Sequence, residues 1–169
     1  MSRPTWDDWF IGMAKQVADR SVCFRTKLGA VIVKDGKYPI SMGYNGAPSG
    51  QKNCAEIGFC FRDERNIKSG TQIELCRASG SHAESNAIAI AARLGHPTEG
   101  ATLYLHGKSF VCEVCKGIIS NAGIKRVVIS SETGVVTEII PSRDWTVHFV
   151  DKMDNDIISK EIKIRKMLL

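Results

Sequence analysis

Ser81-His82-Ala83-Glu84-Ser85-Asn86-Ala87-Ile88-Ala89-Ile90-Ala91-Ala92-Arg93-Leu94 is an Ala-rich run closed by Gly95, with Pro97 just beyond. Alanine loses least conformational freedom in a helix, and Gly followed by Pro is a stop signal, so a helix is predicted over 81–94. The stretches that follow decide the fold class. Residues 101–105 read as a strand, 113–122 as a second helix closed by Gly123, and 125–130, containing Arg126-Val127-Val128-Ile129, as another strand. A strand–helix–strand alternation requires a parallel crossover.

Upstream, Leu28-Gly29-Ala30-Val31-Ile32-Val33 is a continuous apolar run ending at Asp35-Gly36. With the extended stretch 38–44 it predicts an antiparallel β-hairpin. In 4–20, Trp6, Trp9, Phe10, Met13 and Val17 recur at helical spacing, and Asp7 and Asp8 stand in the first turn, where the helix dipole favours them. Residues 45–50 form a Gly/Pro/Ser loop. Residues 51–80 are polar, Cys-bearing and weakly periodic, with a short helix near 57–65; such a stretch inside a compact domain is expected to be functional or pinned. Downstream, 146–150 reads as a last strand and 155–169 as an amphipathic helix. The prediction is one α/β domain over 1–169, with an irregular insert at about 51–80. Its mixed sheet has about five strands and carries helices on both faces, giving three layers.

The 169 residues are 43% hydrophobic and 24% charged, with a net charge of +5. No apolar run reaches the roughly 20 residues of a membrane span, and the N-terminus lacks the apolar stretch of a signal peptide, so a cytoplasmic protein is expected. Lys and Arg are spread along the chain, without the basic stripe interleaved with aromatics that nucleic acid selects. Neither membrane nor nucleic acid is an expected partner. A modest positive balance suits a small anionic substrate.

Six cysteines, at 23, 54, 60, 76, 112 and 115, point to metal or chemistry rather than disulfides in a reducing compartment. Cys112-Glu113-Val114-Cys115 puts two thiols on the first turn of a helix, where the dipole favours thiolate. His82 stands at the other helix start, where the same dipole keeps the imidazole neutral. Two thiolates and one imidazole are three ligands for a zinc that keeps its fourth position for water. Glu84, two residues after His82, is placed to take that water's proton. Separately, each motif has a plainer reading: Ser81-x-x-Glu84 is also a capping box, and Cys112/Cys115 could be a redox dithiol or half of a zinc ribbon. Together they favour a catalytic zinc.

His82-Ala83-Glu84 with Cys112-x-x-Cys115 resembles the zinc-dependent cytidine deaminase superfamily. Leu28 to Val33, Gly43-Tyr44-Asn45-Gly46-Ala47-Pro48-Ser49-Gly50, His82 to Ile88 and Asn121-Ala122-Gly123-Ile124-Lys125 are similar to deoxycytidylate (dCMP) deaminases of bacteria and phages. The similarity runs from about residue 5 to residue 130. It implies a cytidine-deaminase-like fold and hydrolytic deamination of dCMP to dUMP and ammonia, which supplies dUMP for thymidylate synthesis. It also implies Glu84 as proton shuttle, and a cytoplasmic setting, the host's if the gene is phage-borne. By the same resemblance Asn45 and Ala83 are substrate-binding positions, with Arg25 and Lys27 as candidates for the phosphate. Arg77 and Arg93 are the other basic residues near the motifs, and Arg93 matches a subunit-contact position. Gly43, Tyr44, Asn45 and Gly46 match the string that binds dCTP as activator and dTTP as inhibitor between the subunits of a homo-oligomer, dimer or hexamer. Mg2+ would accompany those triphosphates. Cys23, Cys54, Cys60 and Cys76 match a second, structural zinc that would pin the insert. One departure stands out: the family has Pro before the first motif Cys, and here that residue is Val111, after a longer loop at 106–110.

Two rivals share part of this pattern. One is a superfamily deaminase acting on a nucleoside, dCTP or tRNA adenosine, the last of which would favour a broad basic face. The other is a non-catalytic zinc module, which has no use for Glu84.

Overall fold

The computed structural model describes residues 3–134 and 136–145. Its centre is a five-stranded sheet in the order β2-β1-β3-β4-β5. β1 (Gly29–Lys34) and β2 (Tyr38–Tyr44) form the antiparallel hairpin that the apolar run predicts. β3 (Thr102–His106) lies antiparallel to β1 on its other side. β4 (Arg126–Ser130) pairs with β3 in parallel, and β5 (Val136–Ile139) closes the far edge antiparallel to β4. The parallel pair is the crossover expected from the strand–helix–strand order.

β1 shows why its sequence is continuously apolar. Ala30 and Ile32 point to one face, in a cluster with Leu103, Leu105, Val127 and Ile129. Val31 and Val33 point to the other, with Phe10, Ala14, Tyr104 and Val128. A strand covered on both faces has no side to leave polar. The first face carries α4 (Ala83–Arg93) and α5 (Glu113–Asn121), through Ala83, Ala87, Cys115 and Ile119. The second carries α1 (Trp6–Ala18), capped by Thr5, whose hydroxyl accepts the Asp8 N–H at 3.1 Å. The buried stripe of α1 is Phe10, Ala14, Val17 and Ala18; Trp6 and Trp9 lie outside it and are largely exposed.

α1 sits flat on β1 because Gly29 has no side chain: a Cβ there would fall 2.1 Å from the Ala14 carbonyl oxygen. An Asp7 carboxylate ties the helix to the sheet. It accepts two hydrogen bonds from Arg126, at 2.8 and 2.7 Å, and one from the Tyr104 hydroxyl at 2.8 Å.

The insert holds two single-turn helices, α2 (Cys54–Ile57) and α3 (Phe61–Glu64), and a 3-10 turn at Ile73–Leu75. Arginines organise it rather than an apolar core. Buried Arg62 donates to the carbonyls of Lys68 and Thr71, at 3.1 and 2.6 Å. Arg25 donates to Asp63 and to the Ile67 carbonyl, at 2.6 and 2.7 Å.

Toward the C-terminus the structure adds two elements. The fifth described strand is Val136–Ile139, followed by α6 (Pro141–Asp144), where no element was predicted. Three of the four β5 residues are exposed, so this edge strand carries no apolar signature to read. The strand predicted at 146–150 and the helix at 155–169 lie outside the described residues.

Candidate active site

His82 and Cys112 occupy equivalent places, each as the N-cap of its helix, α4 and α5. N-cap side chains ordinarily bond their own helix; neither does so here. Instead they face one another across the junction of the two helices, with Cys115 one turn into α5. His82 Nδ1 lies 3.4 Å from Cys112 Sγ and 3.5 Å from Cys115 Sγ. Among the described residues this is the one group of three or more His, Cys, Asp or Glu side chains gathered closely enough to hold a metal ion.

The donor set fits zinc. A tetrahedral ion with Zn–S near 2.3 Å and Zn–N near 2.05 Å sets nitrogen and sulfur about 3.6 Å apart. The observed separations match within 0.2 Å. The hydrogen bond from Cys115 and then that from His82 hold the Cys112 thiol well below its ordinary range, while Cys112 in turn raises Cys115 and His82.

Glu84 is 4% exposed, and its Oε2 is buried without a hydrogen-bond partner. Burial raises its pKa, opposed by its own backbone N–H and by the His82 charge. The capping-box alternative does not hold, since the helix is capped one residue later than Ser81 and Glu84 is left free of that duty. Glu84 thus sets a buried, unpartnered carboxylate oxygen two residues from His82.

Val111 explains how α5 starts without Pro. Its side chain is 3% exposed in the core cluster, so burial rather than ring geometry sets the chain before Cys112.

The 43–46 string borders this centre, but its residues have structural duties of their own. A Cβ on Gly43 would fall 2.4 Å from Ala87 N and 2.5 Å from the carbonyl oxygen of Ala83, which is itself fully buried. The first glycine is therefore required by the contact between β2 and α4. Gly46 donates its N–H to the Ser81 carbonyl at 3.3 Å, and Tyr44 is half exposed. Asn45 is buried; its Oδ1 accepts the Leu28 N–H at 2.8 Å and its Nδ2 donates to the Thr26 carbonyl at 2.9 Å.

Of the basic candidates, Arg25 is committed to the insert and Arg77 to the Lys52 carbonyl, while Lys27 is exposed. Arg93 is exposed in the last turn of α4, at the end opposite His82. Cys23, Cys54, Cys60 and Cys76 share one region. Burial, and then the thiols of Cys60, Cys23 and Cys76, raise the Cys54 pKa, but the four are not closed to metal-ligand distances as the first trio is.

One residue passed over in the sequence links the two motifs. Asn86 donates from Nδ2 to the Tyr44 carbonyl at 2.8 Å and to the Ser81 carbonyl at 3.3 Å, stitching the 43–46 string to the metal helix. Its position four residues after His82, on the same face of α4, was the available signal.

Comparison with known proteins agrees with this geometry. The family model described as the cytidine and deoxycytidylate deaminase zinc-binding region matches residues 4–131. The deoxycytidylate deaminase of Mycobacterium phage D29 is 38% identical over 137 residues, covering 79% of this chain and 100% of that protein. The deoxycytidylate deaminase of Enterobacteria phage T4 is 36% identical, covering 69% of this chain and 72% of that protein. The crystal structure of dCMP deaminase from cyanophage S-TIM5, in complex with dCMP and dUMP, superposes with a TM-score of 0.55 at 27% identity. It covers 76% of this chain and 83% of that one. With its matched region spanning both helix starts that carry the metal donors and Glu84, the chain belongs to the cytidine and deoxycytidylate deaminase family.

Proposed function

We propose that this chain converts dCMP and water to dUMP and ammonia, the substrate being that of the phage relatives it resembles. The observation that carries the reading is the meeting of three zinc donors with a buried carboxylate whose Oε2 has no partner. Zinc held by His82, Cys112 and Cys115 would supply the Lewis acidity that activates water near neutral pH. Glu84 does the proton work. A carboxylate whose proton affinity is raised by burial takes the first water proton and passes it to the ring nitrogen, then carries the remaining hydroxyl proton to the amine, which leaves as ammonia.

Substrate binding falls to the rim around Asn45. One Nδ2 hydrogen of Asn45 remains beyond its bond to Thr26 and is available to the sugar. Ala83 is fully buried next to Glu84, and of the two phosphate candidates Arg25 is committed to the insert while Lys27 is exposed. Regulation by dCTP and dTTP, with Mg2+, at Tyr44-Asn45-Gly46 of a homodimer or hexamer fits the exposed Met42 and Tyr44 on edge strand β2. Arg93 would serve the subunit contact. A second zinc on Cys23, Cys54, Cys60 and Cys76 completes the reading, in a single cytoplasmic domain.

The test is ultraviolet loss of dCMP against dCTP, deoxycytidine and cytidine, on zinc-loaded protein, with and without dCTP and dTTP. Preference for dCMP is expected. Glu84→Gln should keep its catalytic-site zinc while deamination falls by about 10²–10⁴-fold. No turnover of any cytosine nucleotide overturns the function, and undiminished turnover in Glu84→Gln overturns the mechanism.

A further inference from the structure

Asn45 and His82 stand on different elements, one just past the end of β2 and the other at the start of α4. Each follows a residue whose carbonyl is held by the same side chain. The half-buried Asn86 amide carries two hydrogens on Nδ2. It donates to the Tyr44 carbonyl at 2.8 Å, just before Asn45, and to the Ser81 carbonyl at 3.3 Å, just before His82. The Ser81 carbonyl also accepts the Gly46 N–H at 3.3 Å, so the string is tied to the metal helix on both sides of Asn45. Asn86 is itself fixed to that helix start, because its own N–H donates to the His82 carbonyl at 2.9 Å.

The bonds that Asn45 makes for itself run elsewhere. Its N–H donates to the Leu28 carbonyl at 3.2 Å, and its Oδ1 accepts the Leu28 N–H. Its Nδ2 donates to the Thr26 carbonyl, and its own carbonyl accepts the Ser21 hydroxyl at 2.8 Å. These four anchors lie in 21–28, the approach to β1, and none of them is on α4. The spacing between Asn45 and the His82–Glu84 centre therefore rests on the hydrogen bonds of its neighbours, the shortest of which is the one from Asn86 to Tyr44. An amide is needed there. A methyl group reaches neither carbonyl, and a carboxylate of the same size turns acceptors toward acceptors.

We propose that Asn86 is a positioning residue for the deamination, setting Asn45 at the distance from the metal donors that lets one nucleotide place its sugar hydroxyl at Asn45 and its base at Glu84. This rests on the nucleotide reading above. A ligand that meets only one of the two points is indifferent to their spacing. For a ligand that meets both, a misplacement of about 1 Å is enough to break the second contact.

The experiment is titration calorimetry of zinc-loaded protein with dUMP and with its 2′,3′-dideoxy analogue, which lacks the sugar hydroxyl and keeps base and phosphate. Wild type should bind dUMP more tightly by about threefold to tenfold, the effect of one hydrogen bond. Asn86→Ala should keep its catalytic-site zinc, weaken dUMP by about that factor and leave the analogue within about twofold, so that the preference disappears. Asn86→Asp, which keeps the volume and loses both donors, should do the same and serves where the alanine variant does not fold. A merely structural role would weaken both ligands together. Equal weakening, a preserved preference, loss of zinc, failure of both variants to fold, or no wild-type preference for dUMP overturns the proposal. Deamination of dCMP by wild type is read separately. An Asn86-dependent preference without turnover sinks the activity and leaves the positioning role standing; turnover with an Asn86-independent preference sinks the positioning role alone.

Discussion

Gly43 separates two explanations that share one motif. In a nucleotide-binding string a glycine lets backbone N–H groups approach phosphate, whereas here its missing side chain lets α4 lie on β2. The two make opposite forecasts. Gly43→Ala should cost about 1–3 kcal/mol in urea denaturation, because backbone atoms stand where the methyl would go. Gly46→Ala, whose Cβ would meet nothing nearer than a Tyr44 ring carbon at 3.9 Å, should cost little. A Gly43→Ala chain of unchanged stability that loses dTTP inhibition would reverse this assignment. At this scale the donors were legible, because His-x-Glu and Cys-x-x-Cys name their chemistry by residue type and spacing. The arginines were not: Arg25 and Arg62 look like surface cations until the carbonyls they serve, brought near by folding, are seen.

Among the elements, α1 depends most visibly on one polar contact. The paired hydrogen bonds of Arg126, and after them the Tyr104 hydroxyl, hold the Asp7 carboxyl below its ordinary range. A lowered folded pKa means stability that is fully present above the unfolded value of about 3.9 and lost as pH falls through the folded value. Wild type should therefore exceed Asp7→Asn in stability by about 1 kcal/mol near neutrality, a modest figure because the Asp7 side chain is 40% exposed. Melting curves should show this margin constant down to about pH 4 and shrinking below it. A margin that persists undiminished to pH 2 would mean that the charge plays no part. Element by element, the hairpin and the two helices of the α4–β3–α5–β4 unit were readable because one or both of their faces meet the core. β5 was not, because an edge strand with exposed side chains leaves no such pattern.

At the scale of the whole molecule, the insert poses the main question of what holds it. Its short helices bury almost nothing apolar, so the arginine–carbonyl bonds and the proposed second zinc must supply the stability that a core would. Metal analysis should find two zinc ions per wild-type chain and one in Cys54→Ser, which should also melt at a lower temperature. Two zinc ions per Cys54→Ser chain would remove Cys54 from the ligand set. By itself the sequence determined the α/β class, the opening hairpin, the crossover and the candidates for zinc donor and proton carrier, since these follow from periodicities and residue types that act over a few neighbours. Only the tertiary structure decided that His82 and Cys112 meet as facing caps, that Gly43 is a packing residue, and that Arg25 belongs to the insert. Each of those depends on which distant segment lies opposite, and that is set by the order of strands in the sheet and the helices laid across it, not by local spacing.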